Sequence, residues 1–225
     1  WGLDKAIGSL ESTLQPLLEA IDEAGPESAQ RAAMVAALNG VLGDHLQASG
    51  NTLQLFMTLR VEGETVISAD VDGNIAVHDA LAALPAVSGH LVLMLHGLCM
   101  NDLQWRSSKY PQGHADRLAA ANGCTPVHIR YNSGRHISQN GRELANLLQA
   151  FVDAWPVPVE SLSIIGHSMG GLLARSAFHY AAEANLEWLA HCKAFVSLGT
   201  PHHGSPLERA GNWVDVILGS TRHTA

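Results

Sequence analysis

One short stretch constrains this chain more than any other: Gly166-His167-Ser168-Met169-Gly170. It lies between an apolar strand-like run, Leu162 to Ile165, and a helix-like run, Leu172 to Ala182. A Gly-x-Ser-x-Gly pattern arises readily by chance, and it is the flanks that give it meaning. A strand that passes straight into a helix must turn sharply at the serine, which strains the backbone there and exposes the hydroxyl. Gly166 and Gly170 carry no side chains, so strand and helix can approach closely. The N–H of Met169, at the start of the helix, then points at a developing oxyanion. Ser168 is therefore read as a nucleophile. The alternative is an ordinary serine in a tight strand–helix turn.

The surrounding pattern supplies the sheet that such a turn needs. Leu91 to Leu95 is a continuous apolar strand, as expected where both sheet faces are covered. Pro126 to Tyr131 is the next, after a helix ending near Asn122-Gly123. Leu144, Leu147, Leu148, Phe151, Val152 and Trp155 then share one helical face, stopped by Pro156 and Pro158. Leu162 to Ile165 and Ala194 to Leu198 complete the series. Strands alternating with helices predict an α/β fold: a mostly parallel sheet with right-handed crossovers and helices on both faces.

Upstream the pattern differs. Leu3, Ile7, Leu10, Leu14, Leu17, Leu18 and Ile21 form one helical face, broken by Gly25-Pro26. A second helix from about Pro26 carries Met34, Leu38, Val41, Leu42 and Leu46, with Asn39-Gly40 weakening its continuity. This pair forms either a hairpin ahead of the main domain or a cover for its sheet, and the cover is expected. Leu53 to Arg60 alternates at period two and reads as a half-buried strand, returning through Glu62-Gly63-Glu64 to a partner at Thr65 to Ser68. The division is a helical extension over 1–48 and a main domain over 49–225.

Composition excludes several classes. The chain has 225 residues, 47% hydrophobic, enough for one ordinary domain core. A formal charge of −8 with no Lys/Arg-rich run argues against nucleic acid and anionic membrane surfaces. No apolar run approaches membrane-spanning length. Cys99, Cys124 and Cys192 are too few for a disulfide framework and are read as buried thiols. The thirteen histidines include no His-Glu-x-x-His pairing, and no Gly-x-Gly-x-x-Gly follows a strand. No metal and no cofactor is expected.

A nucleophilic serine needs a base, a group that orients the base, and oxyanion donors. The second donor is expected in the loop after Leu91 to Leu95, His96-Gly97-Leu98-Cys99-Met100. Gly97 permits a tight turn, and Leu98 N–H is the chosen donor beside that of Met169. His96 reads as a brace of this loop rather than the base, and Asn101-Asp102 as a helix cap rather than a catalytic carboxylate. Met100 and Trp105, with the loop Asn132 to His136, are candidates for the substrate rim. A plain polar turn is the alternative for that loop.

Three motifs now stand in order: Leu95-His96-Gly97-Leu98, Gly166-His167-Ser168-Met169-Gly170-Gly171, and Leu198-Gly199-Thr200-Pro201-His202-His203-Gly204-Ser205. Together they resemble an α/β-hydrolase of the lipase/esterase kind. The nearest branch is that of bacterial lipase-like proteins related to the catalytic domain of GPI inositol-deacylases. The resemblance covers roughly residues 50 to 210. It implies Ser168 as nucleophile, Leu98 and Met169 as oxyanion donors, and Gly199 to His202 as pocket wall rather than base. His203 lies nearer the expected pocket and is a candidate for substrate contact, although it resembles a structural position of its motif.

The family's acid and histidine follow the serine, on loops after later strands. Counting Leu53–Arg60 and Thr65–Ser68 as the first two strands, the chain ends soon after the sixth. The missing pair is therefore expected beyond Ala225, and the domain is read as C-terminally incomplete. Within the chain, Asp215 and His223 follow Ser168 in the right order and are the internal candidates. The expected activity is carboxylic-ester hydrolysis of a small-molecule or lipid ester through an acyl-enzyme. An acyltransferase using the same intermediate and a non-catalytic binding module are the alternatives. Oligomeric state and compartment are not legible.

Overall fold

The computed structural model describes residues 28–106, 109 and 111–204. The helix predicted over Leu3 to Ile21, the Gly25-Pro26 break, Asp215 and His223 lie outside the described residues. In chain order the main elements are α1 (Ala29–Ala48), β1 (Thr58–Val61), β2 (Glu64–Ala69), β3 (Ile75–Val77) and β4 (His90–Leu95). There follow α2 (His114–Asn122), β5 (Thr125–Arg130), α3 (Ile137–Ala154) and β6 (Ser161–His167). Last come α4 (Met169–Glu183), α5 (Trp188–His191) and β7 (Cys192–Leu198).

The strands form one seven-stranded sheet in the order β3-β2-β1-β5-β4-β6-β7. The four strands of the strand–helix repeat, β5, β4, β6 and β7, run parallel. β1, β2 and β3 extend the sheet as an antiparallel meander, with β1 antiparallel to β5. The unbroken apolar run in β4 is explained by its neighbours. Leu91, Leu93 and Leu95 join the large core with Leu144, Leu148 and Phe151 of α3 and Leu173 of α4. Val92 and Met94 point the other way, into a smaller cluster with Ala115 and Leu118 of α2. Both faces of β4 are thus apolar because both are covered. This is the α/β-hydrolase architecture, with a helix preceding it.

Two expectations need correction. The first strand was expected from Leu53, yet it begins at Thr58. Leu53 and Leu55 alternate because they pack on α1, in a cluster with Val35, Leu38 and Leu46. Their backbone is held by a side chain rather than a strand: Asn39 Nδ2 donates to Leu53 O (2.7 Å) and Leu55 N donates to Asn39 Oδ1 (2.9 Å). The helix itself was expected to cover the sheet. It lies instead over the loops that leave β4 and β5, where Asn132 Nδ2 donates to Gly43 O. Its Ser28 cap accepts from Arg31 N, and its axis breaks at Leu42, which has non-helical dihedrals.

Turn chemistry fixes the rest. Glu62 and Gly63 both have positive φ, 52° and 90°, giving the two-residue hairpin loop that suits strand twist. The short β3 has no counterpart in the sequence reading. It is set by Asp70, whose Oδ1 accepts from the N–H groups of Asp72 and Asn74 and so turns the chain back on β2. Gly123, at φ 63°, ends α2.

Candidate active site

β6 delivers the chain to Ser168 and α4 carries it away. Ser168 sits between them with φ 52° and ψ −120°, a backbone conformation that is nearly glycine-only. It persists because both sides are fixed. Ser168 N donates to Leu198 O of β7 (2.8 Å). A Cβ on Gly166 would stand 2.6 Å from Gly171 N, and one on Gly170 2.7 Å from His96 O, so neither position admits a side chain. Met169 is the first residue of α4, and its N–H has no intrahelical carbonyl to bond.

The loop after β4 lies directly against this turn. A Cβ on Gly97 would stand 3.1 Å from Ser168 Cβ. Met100 N donates to Gly97 O (3.3 Å), closing a turn in which Cys99 has φ 58°. His96 anchors the loop from below. It is wholly buried, its ring stacks on Tyr131 at 4.4 Å, and its Nδ1–H donates to Gly97 O (2.9 Å). Tyr131 Oη in turn donates to His96 O (3.0 Å). Burial holds His96 far below its ordinary value, at about 4. The ring is therefore neutral at neutral pH, with one nitrogen spent on the loop.

Asn101 and Asp102 separate into two roles. Asn101 caps the short turn Asp102–Trp105, its side chain accepting from Leu103 N. Asp102 is buried between two guanidinium groups, 2.5 Å from Arg130 Nε and 3.1 Å from Arg60 Nε. It ties β1 and β5 to the loop after β4. Beside it lies a polar pocket of about 260 Å³, lined by Arg106, Asp116 and His128 among others. The Arg106 guanidinium bonded to Asp116 holds that carboxyl below the usual range, and burial lowers His128. Among the described residues no three His, Cys, Asp or Glu side chains converge on a point as metal ligands would.

The remaining predicted residues are dispersed. Trp105 packs edge-on to His167, with ring centres 6.2 Å apart. It lines an apolar cavity of about 410 Å³ with Met94, Ile165 and Leu198. These side chains lie on the α2 face of the sheet. His202 bridges Arg175 (3.1 Å) and Ser197 (3.2 Å), while His203 is exposed in the turn after β7. All three cysteines are free and partly buried, and burial raises each thiol. The loop Asn132 to His136, read as a rim or a plain turn, is neither at its start. Asn132 and Ser133 are at most 2% exposed, and Ser133 Oγ accepts from Cys99 N (3.0 Å). Nothing in the sequence marks that contact, because it joins residues 34 positions apart.

Fold and serine turn together define an α/β-hydrolase. A family model described as "Putative serine esterase (DUF676)" matches residues 86–217, more than half of the chain, and the chain belongs to that family. Among solved structures it is similar to the Bacillus licheniformis lipase BlEst2. In the propeptide form the identity is 22% and the TM-score 0.46, over 60% of this chain and 29% of that one. In the mature form the identity is 23% and the TM-score 0.45, over 60% of this chain and 53% of that one. The matched part thus spans 29% and 53% of those two chains. No curated protein matches the chain. No helix among the described residues is long and apolar enough to cross a membrane.

Proposed function

We propose that the protein hydrolyses carboxylic esters through an acyl-enzyme on Ser168. The observation that carries this reading is the strained turn at Ser168, φ 52° and ψ −120°, with the Gly97 backbone pressed against it. A purely structural serine needs neither feature. Ser168 Oγ attacks the ester carbonyl carbon, forming a C–O bond while its proton passes to an imidazole. The carbonyl electrons move onto oxygen, and the N–H groups of Leu98 and Met169 donate hydrogen bonds to the oxyanion so formed. Loss of one such donor costs about 3 kcal/mol of transition-state stabilisation. Collapse breaks the bond to the alcohol, which leaves with the proton from the imidazolium. Water, activated by the same imidazole, then releases the acid and restores Ser168.

The base is not His96, whose Nδ1 is committed to Gly97 O inside the core. His202 is engaged by Arg175 and Ser197. In chain order the proton acceptor and its orienting carboxylate follow Ser168. Asp215 and His223 are one pair in this chain that meets that order.

A fluorophosphonate is expected to label the folded protein on Ser168, located by peptide mapping, and to leave Ser168→Ala unlabelled. Hydrolysis of p-nitrophenyl butyrate is expected to follow the same pattern. A folded wild-type protein that takes no label sinks the proposal.

A further inference from the structure

α1 meets the active-site loops through backbone rather than through long side chains. A Cβ on Gly40 would stand 2.9 Å from both Cα and N of Cys99. A Cβ on Gly134 would stand 2.9 Å from Gly43 N and 3.0 Å from Gly40 O. An added methyl at either place meets main chain, which cannot swing aside as a side chain would.

A chain of buried and partly buried hydrogen bonds runs through the same contact. Asn132 Nδ2 donates to Gly43 O on α1 (3.0 Å), and its Oδ1 accepts from Gly134 N (3.1 Å). Asn140 Nδ2 on α3 donates to Asn132 O (2.8 Å). Ser133 Oγ then accepts from Cys99 N (3.0 Å). Asn132, Ser133 and Asn140 are all essentially buried. Cys99 holds φ 58°, a conformation that a non-glycine residue keeps only where its surroundings impose it. One residue further back is Leu98, and then Gly97 against Ser168.

We propose that α1, acting through Gly40 and through Asn132-Ser133, is a positioning element of the ester-cleaving site. It pins Cys99 from one side while Ser168 bounds Gly97 from the other. The Leu98 N–H between them is thereby fixed where the oxyanion forms. The proposal rests on the reading of Ser168 as nucleophile. Oxyanion donors act within a narrow range, roughly 2.7–3.1 Å, and a displacement of about 1 Å can cost about a hundredfold in rate. A helix needed only for stability would be served by its apolar cluster of Val35, Leu38 and Leu46. The buried Asn132-Ser133 relay adds a directional link that apolar packing does not provide.

The test uses the whole chain as wild type, Gly40→Ala, Ser133→Ala and Ser133→Thr. The first readout is the alkylation rate of Cys99, resolved by peptide mapping with Cys124 and Cys192 as internal references. Gly40→Ala is expected to raise the Cys99 rate about tenfold and leave the other two unchanged. The second readout is catalytic. In Gly40→Ala and Ser133→Ala, kcat is expected to fall about tenfold or more while KM stays within about twofold. Inhibition by a trifluoromethyl ketone, which forms a tetrahedral adduct on Ser168, is expected to weaken by the same factor as kcat. Ser133→Thr, which keeps the hydroxyl, restores both.

Lowered melting temperatures with kcat and inhibition unchanged would make α1 a stability element and overturn the proposal. So would an unchanged Cys99 rate in Gly40→Ala. If Gly40→Ala does not fold, Ser133→Ala decides through kcat and inhibition. A wild type unlabelled at Ser168 overturns the nucleophile reading and this proposal with it, whereas a labelled wild type with indifferent variants overturns this proposal alone.

Discussion

At Ser168 the backbone holds a conformation that a β-carbon disfavours, and the cost survives any replacement that keeps one. Such strain amounts to about 1–3 kcal/mol. Glycine removes it but loses about 0.5–1 kcal/mol more chain entropy on folding. The balance favours relief, so Ser168→Gly is expected to be more stable than Ser168→Ala by about 1 kcal/mol. Paired thermal melts check this, and equal stabilities would mean that the turn is relaxed. His96 gives a second effect at this scale. Its folded value of about 4 lies below the unfolded 6.5, so the unfolded chain binds more protons between them. Stability is therefore complete above about pH 6.5 and declines as the pH falls toward 4. For His96 alone the loss by pH 5 is about 2 kcal/mol. Burial shifts His128 in the same direction and steepens the decline. Urea midpoints at pH 7 and pH 5 measure it, and His96→Asn is expected to flatten the slope.

At the level of elements, Asp102 shows how a buried carboxylate can fix a loop to two strands. It joins Arg60 of β1 and Arg130 of β5 to the turn that follows the Gly97 loop. Removing the carboxylate leaves two mostly buried guanidinium groups facing each other without their shared anion. Asp102→Ala is expected to lose about 3 kcal/mol of stability, read by chemical denaturation, with the folded fraction still labelled on Ser168. The sequence reading placed Asn101-Asp102 as a helix cap, and of the two it is Asn101 that caps the turn. Much of the parallel sheet was legible in the same way, because β4 to β7 and α2 to α4 carry local periodicity that tertiary contacts then use. What was not legible depends on distant partners. Leu53 to Met57 alternates like a strand, yet Asn39 takes its backbone groups. Asn39-Gly40 reads as a weak point of α1, yet it is the surface by which the helix meets residues 53–55 and Cys99. Ser133 reads as a polar loop residue, yet it holds Cys99. The turn at Ser168 was legible because its strand, glycines and helix are consecutive in the chain, whereas Leu198 and Gly97, which hold it in place, are distant.

Over the molecule as a whole, the sheet has two unlike edges. The β3 edge is only three residues long and follows the Asp70 turn. The opposite edge is β7, seven residues long and joined only to β6 among the described residues. Val196 and Leu198 are 46% and 40% exposed there, in register with Ile165 and His167 on the α2 face. A strand with unpaired N–H and C=O groups and exposed apolar side chains invites pairing with another chain. The formal charge of −8 opposes such pairing through repulsion between copies. That repulsion reaches about 10 Å at 0.1 M salt and only about 3 Å at 1 M. Association is therefore expected to grow with salt, as repulsion is screened while the apolar contact is not. A lysine at the edge counters the contact directly, since its charge must be buried or the strand kept open. Light scattering of the wild type is expected to rise between 0.05 M and 1 M sodium chloride, and that of Val196→Lys to rise far less. Because the substitution takes the net charge only from −8 to −7, a change in overall repulsion does not account for a difference of that size. Equal scattering from the two proteins would mean that β7 is covered in solution.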